Sequence, residues 1–111
     1  MLNSCNFTGR FADDPRYFET AQGGRAIFTL AIDRDRKNDD GGYDTDFLDF
    51  VIWGGKSKFV MQYFHKGDMA TVSNARAQVR NYTDSAGVSH RKIEFRADNV
   101  YFGQAKKKEE E

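Results

Sequence analysis

The chain has 111 residues, which bounds it to one domain with a modest core and leaves no room for a second, catalytic domain. Its 39% hydrophobic and 31% charged content is that of a soluble globular protein, and no run approaches the roughly 20 apolar residues of a membrane span. Its 17 basic and 17 acidic side chains cancel, so a nucleic-acid partner would have to be met by the distribution of charge rather than by its sum.

The N-terminus, MLNSCNFTGR, lacks the apolar core of a signal peptide, so the chain is expected in the cytoplasm. Residues 2–11 alternate, with Cys5, Phe7 and Phe11 on one side and Asn6, Thr8 and Arg10 on the other, and read as the first strand. The single cysteine, Cys5, is expected to be a small buried side chain. Asp13-Asp14-Pro15 ends this strand. A Gly23-Gly24 turn precedes the second run, 25–33, which puts Phe28, Leu30 and Ile32 on one face. The polar stretch Arg34 to Gly42 reads as a long hairpin connection.

The run Tyr-Asp-Thr-Asp-Phe-Leu-Asp-Phe-Val-Ile-Trp directly ahead of Gly54 reads as a strand with large residues on both faces. Phe47, Asp49, Val51 and Trp53 share one face, and Leu48, Phe50 and Ile52 the other. One face can be core; the second is either covered by protein as well or is an aromatic platform for stacked bases. After Gly54-Gly55 the spacing becomes helical, with Phe59, Val60, Tyr63 and Phe64 on one face, Ser57 as the expected cap and Gly67 as the expected end. Residues 69–82 and 88–102 read as two further strands joined by Asp84-Ser85-Ala86-Gly87. Over 75–82, alternation turns Ala75, Ala77 and Val79 inward and Arg76, Gln78, Arg80 and Tyr82 outward.

Charge is segregated along this order. From Asp33 to Asp49 seven Asp face Arg34, Arg36 and Lys37, whereas from Asn74 to Ala97 Arg76, Arg80, Arg91, Lys92 and Arg96 face Asp84 and Glu94. Such segregation fits a positive groove with an acidic loop or back. Five strands with one short helix between the third and fourth are the layout of an all-β, five-stranded OB-fold barrel, a layout partly shared by SH3-like barrels and two-sheet sandwiches. The OB-fold domain is placed at residues 1–103, with 104–111 as a charged C-terminal extension.

Several motifs keep a common order and spacing. They are Asn3 through Gly9-Arg10, Asp14-Pro15, Gly23-Gly24, Phe28-Thr29-Leu30-Ala31, Thr45-Asp46-Phe47, Trp53 with Gly54 and Lys56, Tyr63 with Lys66-Gly67, Arg80-Asn81-Tyr82, Asp84 with Gly87, Glu94, and Ala97 through Phe102. On these residues, from Leu2 to Phe102, the chain resembles the bacterial and phage single-stranded DNA-binding proteins. The resemblance implies a non-enzymatic homotetramer of OB-folds that wraps single-stranded DNA in replication, recombination and repair, without a cofactor. It implies base stacking by Phe47, Trp53 and Tyr82. Beside them, the outward cations Arg80 and Arg76 are expected to contact phosphate, with Arg91, Lys92, Arg10, Arg25 and Lys56 as further candidates.

The chain also departs from that pattern. Asp49 lies on the expected DNA face, where a carboxylate repels phosphate unless a nearby cation neutralises it. Arg36 stands where some members carry a stacking aromatic. One extra residue before Tyr82 predicts a bulge around Asn74-Ala75, and the sequence stops at KKKEEE without the acidic tail ending in Pro-Phe, either as a short natural form or as a truncation. Neither His65 nor His90 has a partner at metal-ligand spacing, and no Ser-His-Asp arrangement or phosphate loop is visible. The rival functions are an OB-fold assembly module of the primosomal replication protein N type with weak DNA binding, and an RNA-binding barrel.

Overall fold

The computed structural model describes residues 1–103, and the extension 104–111 lies outside the described residues. Seven strands and one helix follow in the order β1 (Cys5–Phe11), β2 (Arg16–Phe18), β3 (Arg25–Lys37), β4 (Tyr43–Trp53), α1 (Gly55–Tyr63), β5 (Met69–Thr83), β6 (Ser89–Arg96) and β7 (Asn99–Phe102). Five of them close on themselves: β1 pairs β3, β3 pairs β4, β4 runs parallel to β6, β6 pairs β5, and β5 returns to β1. This ring, with its single helix between the third and fourth ring strands, is the five-stranded OB-fold barrel. β2 adds to the side of β3 and β7 to the lower half of β5.

The inner faces alternate as the strand periods require. Phe28, Leu30, Phe50, Ile52, Ala70, Val72 and Ala75 are buried from the strands, and Val60 and Phe64 from the helix side. The many phenylalanines form a column: Phe64 stacks on Phe11 at 5.1 Å, Phe11 on Phe28 at 4.9 Å, and Phe28 on Phe50 at 5.3 Å between ring centres. Phe7 and Phe95 close its end, edge-on and tilted against Phe50. Gly9 has no room for a side chain, since a Cβ there would sit 2.7 Å from the Ala31 carbonyl oxygen where β1 crosses β3.

Several expectations are corrected. The run 88–102 is two strands, broken at Ala97-Asp98. The bulge explains the break: Cys5 pairs Ala75 while Phe7 pairs Val72, so β5 carries one extra residue, with Asn74 at φ 54°. β5 turns there, and its partner strand changes from β6 above the bulge to β7 below it. The connection after 33 is shorter than read, because β3 continues to Lys37 and only Asn38 to Gly42 turn the chain. Its charges are cross-strand partners: Arg34 binds Asp46 through two bonds of 3.0 and 3.1 Å, and Thr45 donates to Asp33 at 2.6 Å.

The helix is capped differently from the expectation. Gly54, at φ 77° and ψ −151°, occupies the N-cap, and Ser57 is buried one turn in, donating to the Gly54 carbonyl. Phe64 ends the helix in an extended conformation, and Gly67 serves the turn that follows, at φ +91°. Cys5 is half-buried against the core rather than fully enclosed. Residues 2–4 are not strand, yet the Asn3 side chain imitates one by bonding both the N–H and the carbonyl of Ala77.

Candidate nucleic-acid interface

Residues opposite one another in a ladder point to the same side of the sheet. The strand registers therefore place two rows on the outer face of the barrel. One row runs Phe18, Arg25, Trp53 across β2, β3 and β4. The next runs Arg16, Ile27, Val51, Arg96, Arg76 across β2, β3, β4, β6 and β5. Val51 is buried although it faces outward, because Ile27 and Arg96 flank it in this row.

Trp53 is the centre of the arrangement. The guanidinium carbons of Arg25 and Arg96 lie 5.5 and 5.9 Å from its ring centre, within cation–π range. Beside it a cavity of about 290 Å³ is lined by Trp53, Lys56, Arg76 and Arg96 together with Asn74 and Asp98. Lys56 reaches there from the first turn of α1 and is held by the Asp98 carbonyl at 2.8 Å and the Asn99 side chain at 2.7 Å. An indole beside three cations in a polar hollow can accept a base on its ring and a phosphate on its rim.

The other residues singled out from sequence are distributed more widely. Phe47 shares the outer face of β4 with Trp53 and is 64% exposed, so that part of the strand is not covered by protein. Tyr82 is 44% exposed on the arm formed by β5 and β6. Its ring stacks on His90 at 5.1 Å, and His90 is tied to Asp84 at 2.7 Å. That contact, with the backbone N–H of Val88 and then of Ala86, holds the Asp84 carboxyl below the usual carboxylate range. Arg80 faces outward on the same arm, 3.8 Å from Glu94.

Lys92 is paired with Asp49, which also accepts from Thr29 at 2.6 Å. Burial alone would push the Asp49 carboxyl up; Lys92 and Thr29, with Arg16 further off, outweigh it and hold the group below its ordinary value. The cation that neutralises Asp49 is thus a lysine that had been singled out for phosphate. Arg91 alternates to the opposite face of β6, beside Val79 and Ile93. Val79, expected inward, is 53% exposed, because beyond Ala77 the arm has left the barrel and neither of its faces has a core to cover. Arg10 lies on β1 and donates to the Gly67 carbonyl at 3.1 Å, away from the cavity.

Two residues that the structure brings beside Trp53 or into its row are not singled out by the sequence. Arg96 was counted in the basic segment, but only the register that sets it against Arg76 and Val51 shows its place. Phe18 belongs to a three-residue strand too short to show alternation.

The model of the single-strand binding protein family matches residues 2–103. The chain belongs to the single-strand binding protein family. It is 36% identical over 107 residues to single-stranded DNA-binding protein 2 of Listeria monocytogenes and 35% identical over 107 residues to single-stranded DNA-binding protein A of Bacillus subtilis. Both matches cover 96% of this chain, which spans only 66% and 62% of the length of those two relatives. Single-stranded DNA-binding protein 1 of Clostridium acetobutylicum is 32% identical over 108 residues and is covered over 97% of its own length. Among solved structures, the small single-stranded DNA-binding protein of Streptomyces coelicolor superimposes with a TM-score of 0.74 at 19% identity, covering 92% of this chain and 95% of that one, a likeness of fold.

Proposed function

We propose that this member of the single-strand binding protein family binds single-stranded DNA without sequence preference, and that it does so as a homotetramer in replication, recombination and repair. Cytoplasmic residence at the nucleoid is part of the same reading; among the described residues no helix is long and apolar enough to cross a membrane. Bases stack on Trp53, Phe47 and Tyr82, and phosphates are met by Arg76, Arg96 and Lys56 around the first ring and by Arg80 along the arm. Stacking tolerates every base because each has a π-face, and backbone neutralisation carries no sequence information. The observation that carries the reading is the polar cavity in which Trp53 stands among three cations. Binding of this kind involves no catalytic step.

Its electrostatic half is tested with Arg76, which has no ion-pair partner among the described residues. Anisotropy titrations of labelled oligo-dT over a salt series are expected to show Arg76→Ala lowering the magnitude of the slope of log K against log salt by about 0.7, the value of one phosphate contact on a single strand. An unchanged slope would remove Arg76 from the phosphate path. Competition by oligo-U of equal length distinguishes a DNA binder from an RNA binder in the same experiment.

A further inference from the structure

Phe18 is a large apolar ring that lies outside the buried core cluster. It stands on the outer face of the short strand β2 and is 41% exposed, while its neighbour Tyr17 turns the other way, toward the helix side. It lies against Arg25, whose guanidinium carbon is 5.0 Å from the Phe18 ring centre and 5.5 Å from that of Trp53. Arg25 makes no ion pair among the described residues, so its plane is shared between two aromatic rings rather than spent on a carboxylate. The register explains the alignment, since Phe18 sits opposite Arg25 and Arg25 opposite Trp53.

We propose that Phe18 and Arg25 form a second base-stacking position that extends the Trp53 platform across the sheet. The strand then runs from the cavity beside Trp53 over β3 to β2, with one base on Trp53 and another on the open face of Phe18. Arg25 is the flat spacer between them and not a phosphate contact. Guanidinium suits that place because it is planar, weakly hydrated and permanently charged, and it stacks on aromatic faces; an ammonium keeps the charge and loses the plane. Two strand spacings, about 10 Å, separate the two ring positions. The proposal rests on the single-strand reading above and adds to it the residues and the direction of the path.

The test is oligo-dT affinity over a salt series for the full chain and for Phe18→Ala, Phe18→Leu, Arg25→Lys and Arg25→Ala, each checked for folding by thermal melting. Phe18→Ala and Phe18→Leu are both expected to lose about 5-fold or more in affinity at unchanged salt slope, the leucine keeping apolar bulk without a π-face. Arg25→Lys is expected to lose a comparable factor, also at unchanged slope, because its charge is retained. Wild-type affinity in both Phe18 variants overturns the proposal. So does wild-type affinity in Arg25→Lys with a slope lowered by about 0.7 in Arg25→Ala, which makes Arg25 a phosphate contact. Failure of the unsubstituted chain to bind oligo-dT at any salt overturns the single-strand reading and this extension with it, an outcome distinct from either of the others.

Discussion

Replacing Trp53 by alanine is expected to weaken binding of oligo-dT by about 5- to 150-fold, the equivalent of the roughly 1–3 kcal/mol that one stacked base contributes. The ring lies on the outer face of β4, its cavity is lined by Lys56, Arg76 and Arg96, and two guanidiniums approach it. Removing it deletes the surface on which a base lies and leaves every cation in place. The salt slope should therefore stay as it was, which separates this variant from Arg76→Ala. Because Trp53 is outside the buried core cluster, the thermal midpoint should change little. Titrations of the two variants side by side check the separation: affinity without slope for Trp53, slope for Arg76. A Trp53→Ala variant with unchanged affinity would take the ring out of the site.

The second large effect concerns stability. Phe50 is fully buried on the inner face of β4 and touches Phe7, Phe28 and Phe95 at ring-centre distances of 5.3 to 5.5 Å. Phe50→Ala removes the ring that joins the stacked column to Phe7 and Phe95, and the barrel strands on either side, paired through their backbones, have little freedom to collapse into the space. The expected cost is about 3–5 kcal/mol, transfer and cavity together. Against a total of about 5–15 kcal/mol for a domain, that is a large share of the stability. Urea denaturation should show the midpoint falling with the m-value kept. A midpoint equal to that of the unsubstituted chain would mean that the column is not what holds β3, β4 and β1 together.

Much of the barrel is readable from alternation, because each ring strand has one apolar face. The strand ending at Trp53 and the inward set Phe28, Leu30 and Ile32 follow from period, and the bulge near Asn74 from the one residue by which the chain exceeds the pattern it resembles. What alternation does not carry is partnership. β2 is too short to show a period, and the break at Ala97-Asp98 becomes visible only once β5 bends opposite it at Asn74. The polar stretch 34–42 reads as loop by composition, yet Arg34 and Asp46 are cross-strand neighbours that keep it in the sheet. Composition records that charges are present and not whom they face.

The site follows the same division. Phe47 and Trp53 share a face by parity alone, and that survives in the structure. Which cations surround Trp53 depends on register: Arg96 comes beside the ring, whereas Lys92, expected at phosphate, is paired with Asp49. Arg91 sits one residue from Lys92 and is on the other side of its strand, where sequence spacing alone gives no reason to separate the two.

The proposed binding mode places Trp53 against bases. This residue is the only tryptophan of the chain, so its fluorescence reports on that position alone. Titration of the full chain with oligo-dT, at low and at roughly physiological salt, is predicted to give quenching that saturates and that weakens as salt rises, with a slope of about −0.7 per phosphate contact. A folded sample whose emission does not change with oligo-dT at either salt would contradict the account and leave an assembly module as the reading to pursue.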